Sequence, residues 1–173
     1  MLSESRRNAT AEEAAYRISY PNSRPRTIKV IALDKESAAM VEEIAKMDWE
    51  RAVFFNSASF GGTLPDSAAV RDGSLKGWLN DLAGHARDLV AEIDDANIIV
   101  MVVHAGSDAR VGALIGEAAY MRKKSVIGLV MDAEAADDKA LARTMKGMRP
   151  FSKMLVVARG HDYIEEMLHA LSA

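Results

Sequence analysis

The sequence predicts an α/β protein in which one parallel sheet lies between two layers of helices. Five apolar runs of strand length are continuous rather than alternating, as in strands that are buried on both faces. Stretches in which apolar residues recur with helical spacing separate these runs. With 173 residues, of which 49% are hydrophobic, the chain can build the core of one domain.

The first part of the chain reads as strand, helix, strand. Residues 27–34 (TIKVIALD) and 51–56 (RAVFFN) are rich in β-branched and aromatic residues and predict strands. Residues 36–47 between them predict a helix. Its inward face would consist of Met40, Val41, Ile44 and Met47. Residues 57–73, rich in glycine, serine and proline, are expected to form a polar connection.

The next segment predicts a long helix and the most apolar strand. Ser74 is a suitable N-cap for a helix that runs to about Ile93. Its inward side chains would be Trp78, Leu82, Leu89, Val90 and Ile93. Residues 97–103 (NIIVMVV) then predict the third strand.

The last third continues the alternation. We expect a helix over residues 108–122, a strand over 125–131, a helix over 133–148, a strand over 153–158 and a final helix capped by Asp162. Because crossovers between parallel strands are right-handed, few topologies remain. We expect a three-layer Rossmann-like or flavodoxin-like domain with five strands in the order 2-1-3-4-5. The alternative order 3-2-1-4-5 would arise if a short element within residues 57–73 joined the sheet.

We expect residues 1–26 to form a separate N-terminal arm and residues 27–173 to form a single Rossmann-like α/β domain. Thr10 and Glu13 fit a capping box for a short helix. The arm is either a solvated tail or a segment that packs on a neighbouring subunit. Apolar side chains at Tyr16, Ile18 and Tyr20 favour packing, since a solvated tail does not need them. We therefore expect a homo-oligomer, most simply a dimer, assembled through the arm.

Composition excludes several classes of function. The chain has no cysteine, so disulfides, thiolate catalysis and thiolate metal sites are absent. Its net charge of −3 argues against nucleic acid as the main partner. The longest aliphatic run, residues 98–103, is too short to span a bilayer, so no membrane partner is expected. Together with the lack of a secretion signal, these features predict a cytoplasmic protein.

A ligand site is expected at the carboxyl ends of the strands, where the strand order reverses. In the order 2-1-3-4-5 the first and third strands flank this point. The polar residues that follow these two strands are therefore the candidate ligand-binding residues: Asp34, Ser37, His104, Gly106, Ser107, Asp108 and Arg110. The other strands end in Asn56, Ser57, Asp132, Arg159, Gly160 and His161.

The turn after the third strand has the parts of an anion site. Gly106 permits a tight turn, Ser107 or Asp108 can cap the next helix, and Arg110 adds a cation. Free N–H groups at the start of a helix attract negative charge. The alternative is a plain capped connection, since Asp108 would itself repel a phosphate. His104 and Asp108 offer two metal ligands without a third, so no metal site is predicted.

The signatures of the common catalytic classes are absent. The chain contains no G-x-S-x-G, no G-x-G-x-x-G and no G-x-x-x-x-G-K-[ST]. Catalytic residues therefore stay unknown, and so does any cofactor, with a nucleotide as one candidate. Gly112 and Gly116 are four residues apart on the predicted helix, which indicates close packing against another element.

The order of elements over residues 27–168 resembles the nucleotide-binding half of the tubulin and FtsZ group. The segment IKVIALDKESAAMVEEIAKMDWERAVFFNSAS matches its first strand, helix and second strand, and DDANIIVMVVHAGSDARVGALIGEAAYMRKKSVIGLVM matches its strand, phosphate loop, helix and next strand. The resemblance implies a nucleotide-binding fold. The segment ALDKESA, however, has no glycine, and the chain ends before the family's catalytic acidic loop, so GTP hydrolysis is not expected.

A shorter resemblance links residues 95–132 with nucleoside deoxyribosyltransferase-like proteins. That family places a glutamate nucleophile where this chain has Leu114, with Glu117 three residues further on. Both resemblances imply the same fold and the same crevice. We expect a small-molecule binding protein for a nucleotide or another anion. The alternatives are an assembly or regulatory subunit with a vestigial crevice and, third, a nucleoside-type glycosidase or transferase that uses Asp34, Glu36 or Glu117.

Overall fold

The structure is a computed structural model that describes residues 26–57 and 75–171. The strands are β1 (Ile28–Ala32), β2 (Ala52–Ser57), β3 (Lys76–Asp81), β4 (Ala86–Asp88), β5 (Ile98–His104), β6 (Ser125–Met131) and β7 (Met154–Ala158). The helices are α1 (Lys35–Ala45), α2 (Leu89–Asp95), α3 (Arg110–Met121), α4 (Asp138–Met148) and α5 (Asp162–Ala170), with a 3₁₀ turn over Ala133–Ala135. The expected arm, residues 1–26, lies almost entirely outside the described residues, as does most of the connection 57–73.

All described strands belong to one sheet with the order β4-β3-β2-β1-β5-β6-β7. The five predicted strands are present, and β1 pairs in parallel with both β2 and β5. β5, β6 and β7 continue in parallel. The α/β class is therefore confirmed, but the expected count of five strands is wrong, because β3 and β4 extend the sheet to seven strands with antiparallel pairing.

The predicted helix from Ser74 to Ile93 is wrong over most of its length. A hairpin of β3 and β4 replaces it, and only Leu89–Asp95 is helical. The turn between the strands is organised by Asp81, whose Oδ1 accepts hydrogen bonds from the amides of Ala83 at 3.0 Å and His85 at 2.9 Å. Gly84 supplies the positive φ of 84° that the turn requires. Leu82, expected to be inward, lies in this turn and is exposed.

Two apolar layers cover the faces of the sheet. On one face, α1 and α5 pack against alternate strand residues such as Val30, Val100 and Leu129. On the other face, α2, α3 and α4 pack against the intervening residues, including Ile31, Met101 and Val130. This distribution explains why the strands read as continuous apolar runs. Met47, expected to be inward, lies beyond the end of α1 and is exposed.

Close packing explains the two glycines of α3. A Cβ atom at Gly112 would lie 2.8 Å from Sδ of Met148, and one at Gly116 would lie 2.7 Å from Cγ of Phe151. Both distances are shorter than van der Waals contact, so side chains there would push α3 away from its neighbours. The expected packing role of both glycines is confirmed. None of the helices in residues 26–57 and 75–171 combines the length and the apolar character that crossing a membrane requires.

Candidate functional site

Asp34 joins the carboxyl ends of β1 and β5. Its Oδ2 accepts a hydrogen bond from the backbone N–H of His104 at 2.8 Å. The same carboxylate caps α1, because Oδ1 accepts from the amide of Ser37 at 2.9 Å and Oδ2 accepts from the Ser37 hydroxyl at 3.0 Å. Asp34 and Ser37 are both buried. The expected meeting of Asp34 with the turn after β5 is therefore present, with the carboxylate engaged by the protein itself.

His104 lies on the α1 side of this junction among acidic groups. Its Nε2 is 3.8 Å from Oδ2 of Asp132, which follows β6 in a left-handed conformation with a φ of 53°. Glu36 lies in the first turn of α1. Hydrogen bonding to its own backbone amide and to the Asp34 side chain lowers the pKa of the Glu36 carboxyl group, and His104 adds a smaller effect in the same direction. The sequence placed His104 with Asp108 as a weak metal pair, whereas the structure places it with Asp132.

Gly106 and Ser107 connect the turn to α4 on the opposite face. The amide of Gly106 donates to the hydroxyl of Thr144 at 3.1 Å, and that hydroxyl donates to the carbonyl of Ser107 at 2.9 Å. Gly106 has a φ of 91°, so the turn requires glycine at this position. A single buried threonine thus fixes the turn after β5 against α4.

Asp108 and Arg110 pair with each other at the start of α3. The guanidinium Nε of Arg110 is 2.6 Å from Oδ2 of Asp108, and the Arg110 amide donates to Oδ1 at 3.0 Å. This hydrogen-bonded pair lowers the pKa of Asp108. The expected cap is shifted by one residue, since Ala109 is the N-cap of α3 and makes no side-chain cap bond. The Arg110 guanidinium is therefore bonded to Asp108 and is not available as a separate cation for a ligand.

A cleft of about 300 Å³ opens beside this turn. Its lining consists of Gly106, Ser107, Asp108, Ala109 and Arg143. The first turn of α3 carries no acidic residue of its own, and the carboxylate at its positive end is that of Asp108, which is paired with Arg110. Arg143 comes from α4 and is exposed. Among residues 26–57 and 75–171, no carboxylate forms an ion pair with Arg143.

The structure divides the predicted site residues into two groups. Asp34, Ser37 and His104 form the junction between β1 and β5. Gly106, Ser107, Asp108 and Arg110 form the turn above α3, next to the cleft. The sequence did not predict Arg143 and Thr144 as site residues. They lie on α4, which follows β6, and the residue spacing in α4 does not indicate that these two positions approach the turn after β5. The role of every one of these residues in ligand binding stays a prediction.

The remaining strand ends contribute ion pairs and two buried polar atoms. Arg159 pairs with Glu134, and His161 lies 3.2 Å from Asp162. Asp162, expected to cap the last helix, is instead its first residue, with His161 at the N-cap. At the end of β2, Oδ1 of Asn56 and Oγ of Ser57 are buried without a hydrogen-bond partner among the described residues.

Within the described part of the chain, no three histidine, aspartate or glutamate side chains lie close enough together to hold a metal ion. Comparison of the sequence with protein-family models and with curated proteins gives no match.

Proposed function

We propose that the chain is a binding protein for a small anionic molecule, held in the cleft beside residues 106–109. One observation carries the proposal: Arg143 lines the cleft together with residues 106–109, which lead into the N-terminus of α3, and Asp108 is the one acidic residue of the described chain in that lining. An arginine side chain beside the positive end of a helix forms a suitable environment for a phosphate or a carboxylate.

Asp108 does not cancel this positive environment. Its two carboxylate oxygens face the guanidinium and the amide of Arg110, at 2.6 Å and 3.0 Å. The pair is neutral as a unit, so the charge of Arg143 determines the sign of the cleft. Because Arg110 neutralises Asp108, this carboxylate repels a phosphate less than an unpaired one would.

The volume of the cleft limits what it can enclose. About 300 Å³ is at the small end of the range for ligand pockets. The cleft would therefore hold the anionic group and part of a small molecule, with the rest over the neighbouring surface. A nucleotide bound through its phosphates remains one candidate, and a small organic phosphate or carboxylate is another.

Calorimetric titration at low ionic strength tests the proposal, with inorganic pyrophosphate, AMP and GTP as probes. We expect at least one probe to bind the parent protein, and Arg143→Gln to weaken that binding about tenfold, since a charge-assisted bond is lost. Arg149→Gln is the matched control, because Arg149 is also exposed and sits at the other end of α4. Gly106 is unsuitable for substitution, since its φ of 91° would strain any side chain.

Absence of binding to all three probes would contradict the proposal. Equal affinities in the parent and in Arg143→Gln would contradict it as well, because the ligand would then lie elsewhere.

A second candidate function is supported by Asp34. Its carboxylate fills the junction between β1 and β5 with hydrogen bonds to His104 and Ser37, at the point where a ligand of this fold class would enter. An assembly or regulatory subunit with a vestigial crevice would have such a junction. Failure of all the probes, together with a stable complex of the chain with itself or another protein, would favour this second candidate.

The geometry gives little support to a nucleoside-type glycosidase. Both oxygens of Asp34 already accept hydrogen bonds, which reduces their ability to attack a substrate. Leu114, at the position of the family's nucleophile, is buried in the core.

A further inference from the structure

A second and larger pocket lies at the amino-terminal ends of the strands, opposite the cleft at Arg143. It encloses about 500 Å³ and is lined by Tyr120, Met121, Lys123, Lys124 and Lys153. The first four residues follow one another around the end of α3, and Lys153 immediately precedes β7. The pocket is thus separated from the cleft at Arg143 by the full length of α3.

The charged side chains that line this pocket are all lysines. Lys124 donates to the carbonyl oxygens of Asp94 at 2.7 Å and Ala96 at 2.8 Å, and Lys153 lies 3.2 Å from the hydroxyl of Ser125. These partners are neutral groups. No carboxylate in the described residues forms an ion pair with any of the three lysines, and none lines the pocket.

Acidic groups nearby are already engaged. Asp94 pairs with Arg122 at 3.1 Å, and Asp95 lies 2.8 Å from the buried ammonium of Lys29. Lys29 lowers the pKa of Asp95, and Lys124 adds a smaller effect in the same direction. The surroundings of the pocket therefore retain a positive excess that favours an anion.

The other wall of the pocket is apolar. Tyr120 is 76% exposed and Met121 is 45% exposed, although both belong to the last turn of α3. Large side chains this accessible, beside ammonium groups that have no carboxylate partner among the described residues, offer contact to an apolar body and to a charge at the same time.

Lys123 occupies a position that usually carries glycine. Its φ is 56°, and its amide and that of Lys124 bond back to the carbonyls of Tyr120 and Ala119 at 3.0 Å and 2.9 Å. This is the hydrogen-bond pattern with which helices commonly end on a left-handed glycine. A lysine in this conformation destabilises the turn relative to glycine, so its side chain is retained at a cost in stability.

Stabilisation of the negative end of the α3 dipole explains only two of the three lysines. Cations beyond the end of a helix are favourable, which fits Lys123 and Lys124. Lys153 comes from a different connection and completes the other side of the pocket. A role in helix stability alone does not explain its place there.

We propose that this pocket binds a small organic anion with an aromatic or acyl body and a carboxylate or phosphate group. The lysines hold the anionic group, and Tyr120 and Met121 contact the body. This site is independent of the proposed function, since it shares no residue with the cleft at Arg143.

Fluorescence titration with two probes of similar shape tests the proposal. 8-Anilinonaphthalene-1-sulfonate is anionic, whereas N-phenyl-1-naphthylamine is its neutral counterpart. We expect the anionic probe to bind more tightly, phenyl phosphate to displace it, and inorganic phosphate to displace it far less. Lys123→Gly and Lys153→Gln should each weaken anionic binding about tenfold and leave the neutral probe unchanged. Lys46→Gln, at the C-cap of α1, is the control and should bind like the parent. Arg143→Gln distinguishes this pocket from the cleft described above.

The variant at Lys123 also separates binding from folding. Glycine adopts the left-handed conformation without strain. We therefore expect Lys123→Gly to raise the melting temperature by about 2 °C and to weaken binding of the anionic probe. A loss of binding with a higher melting temperature cannot result from damage to the fold. Unchanged affinity in both lysine variants, or equal displacement by inorganic phosphate and phenyl phosphate, would overturn the proposal. Loss of affinity in Arg143→Gln alone would assign the probe to the cleft and also overturn it.

Discussion

Asp34 performs two structural tasks with one carboxylate. It caps α1 through Ser37 and fixes the end of β5 through the amide of His104. Asparagine has nearly the same shape but only one accepting oxygen, so its NH₂ group would face one of these donors. A buried donor that loses its acceptor costs about 1–3 kcal/mol.

We therefore expect Asp34→Asn to lower the free energy of unfolding by about 1–3 kcal/mol, measured by urea denaturation. Asp48→Asn is the control, because Asp48 is exposed in the connection after α1. It should change stability by less than about 0.5 kcal/mol. Equal effects of the two substitutions would mean that the Asp34 junction contributes nothing specific to stability.

The glycines of α3 differ in what a methyl group would meet. At Gly116 the obstacle is the base of the Phe151 side chain, whereas at Gly112 it is Sδ of Met148 and Cδ1 of Leu33, near the ends of flexible side chains. We expect Gly116→Ala to lower the free energy of unfolding by about 1–3 kcal/mol, despite its better helix propensity. Gly112→Ala should cost less. Thermal and urea unfolding of both variants would check this order, and a more stable Gly116→Ala would refute it.

At the level of strands and helices, the parallel part of the sheet could be predicted because burial on both faces leaves a continuous apolar run. The hairpin of β3 and β4 could not. Trp78, Leu82 and Leu89 have a spacing that suits a helix, whereas the side chain of Asp81 and the positive φ of Gly84 make a turn. The turn-forming residues Asp81 and Gly84 therefore outweighed a helical periodicity that extends from Ser74 to Ile93.

The turn after β3 predicts a pH dependence. The hydrogen bond from the backbone amide of His85 lowers the pKa of Asp81, and the His85 side chain adds a smaller effect in the same direction. The unfolded value is about 3.9, so this stabilisation is present above about pH 4 and is lost as the pH falls through the lower folded value. Asp81→Asn keeps an acceptor but removes the charge. We expect its deficit in unfolding free energy to be largest near pH 7 and to shrink below pH 4, whereas a deficit independent of pH would contradict the charged interaction.

Across the chain, sequence reasoning located the edge of the sheet that holds the candidate site but missed the partners of its residues. Asp34 and His104 could be placed at one junction, since adjacent parallel strands end together. The pairing of Asp108 with Arg110, and the approach of Arg143 to the same turn, depend on side-chain directions that periodicity does not contain. An exposed arginine on a helix looks alike in sequence whether it lines a cleft or faces solvent.

The oligomer remains a prediction about residues outside the described part of the chain. We expect deletion of residues 1–24 to shift the solution mass toward the monomer, measured by light scattering, because the apolar side chains of the arm need a surface to pack on. An unchanged oligomer mass would exclude the arm. Val157→Lys would then test β7, a described edge strand on which Met154 and Val157 are 43% and 44% exposed. A parent protein that is already monomeric would contradict the prediction altogether.

The central position of β1 has a consequence for synthesis on the ribosome. β1 leaves the ribosome before every other described strand. Its partner β5 follows about 70 residues later, which is the separation between Thr27 and Asn97. Hydrogen bonds between these two residues join the starts of the two strands. At about 5–20 residues per second, one edge of β1 waits roughly 4–14 s for its neighbour. All five residues of β1 are buried in the finished sheet. A nascent chain that stalls before residue 98 therefore presents the unpaired N–H and C=O groups of one side of β1 to the cell, where chaperones or other stalled chains can bind them.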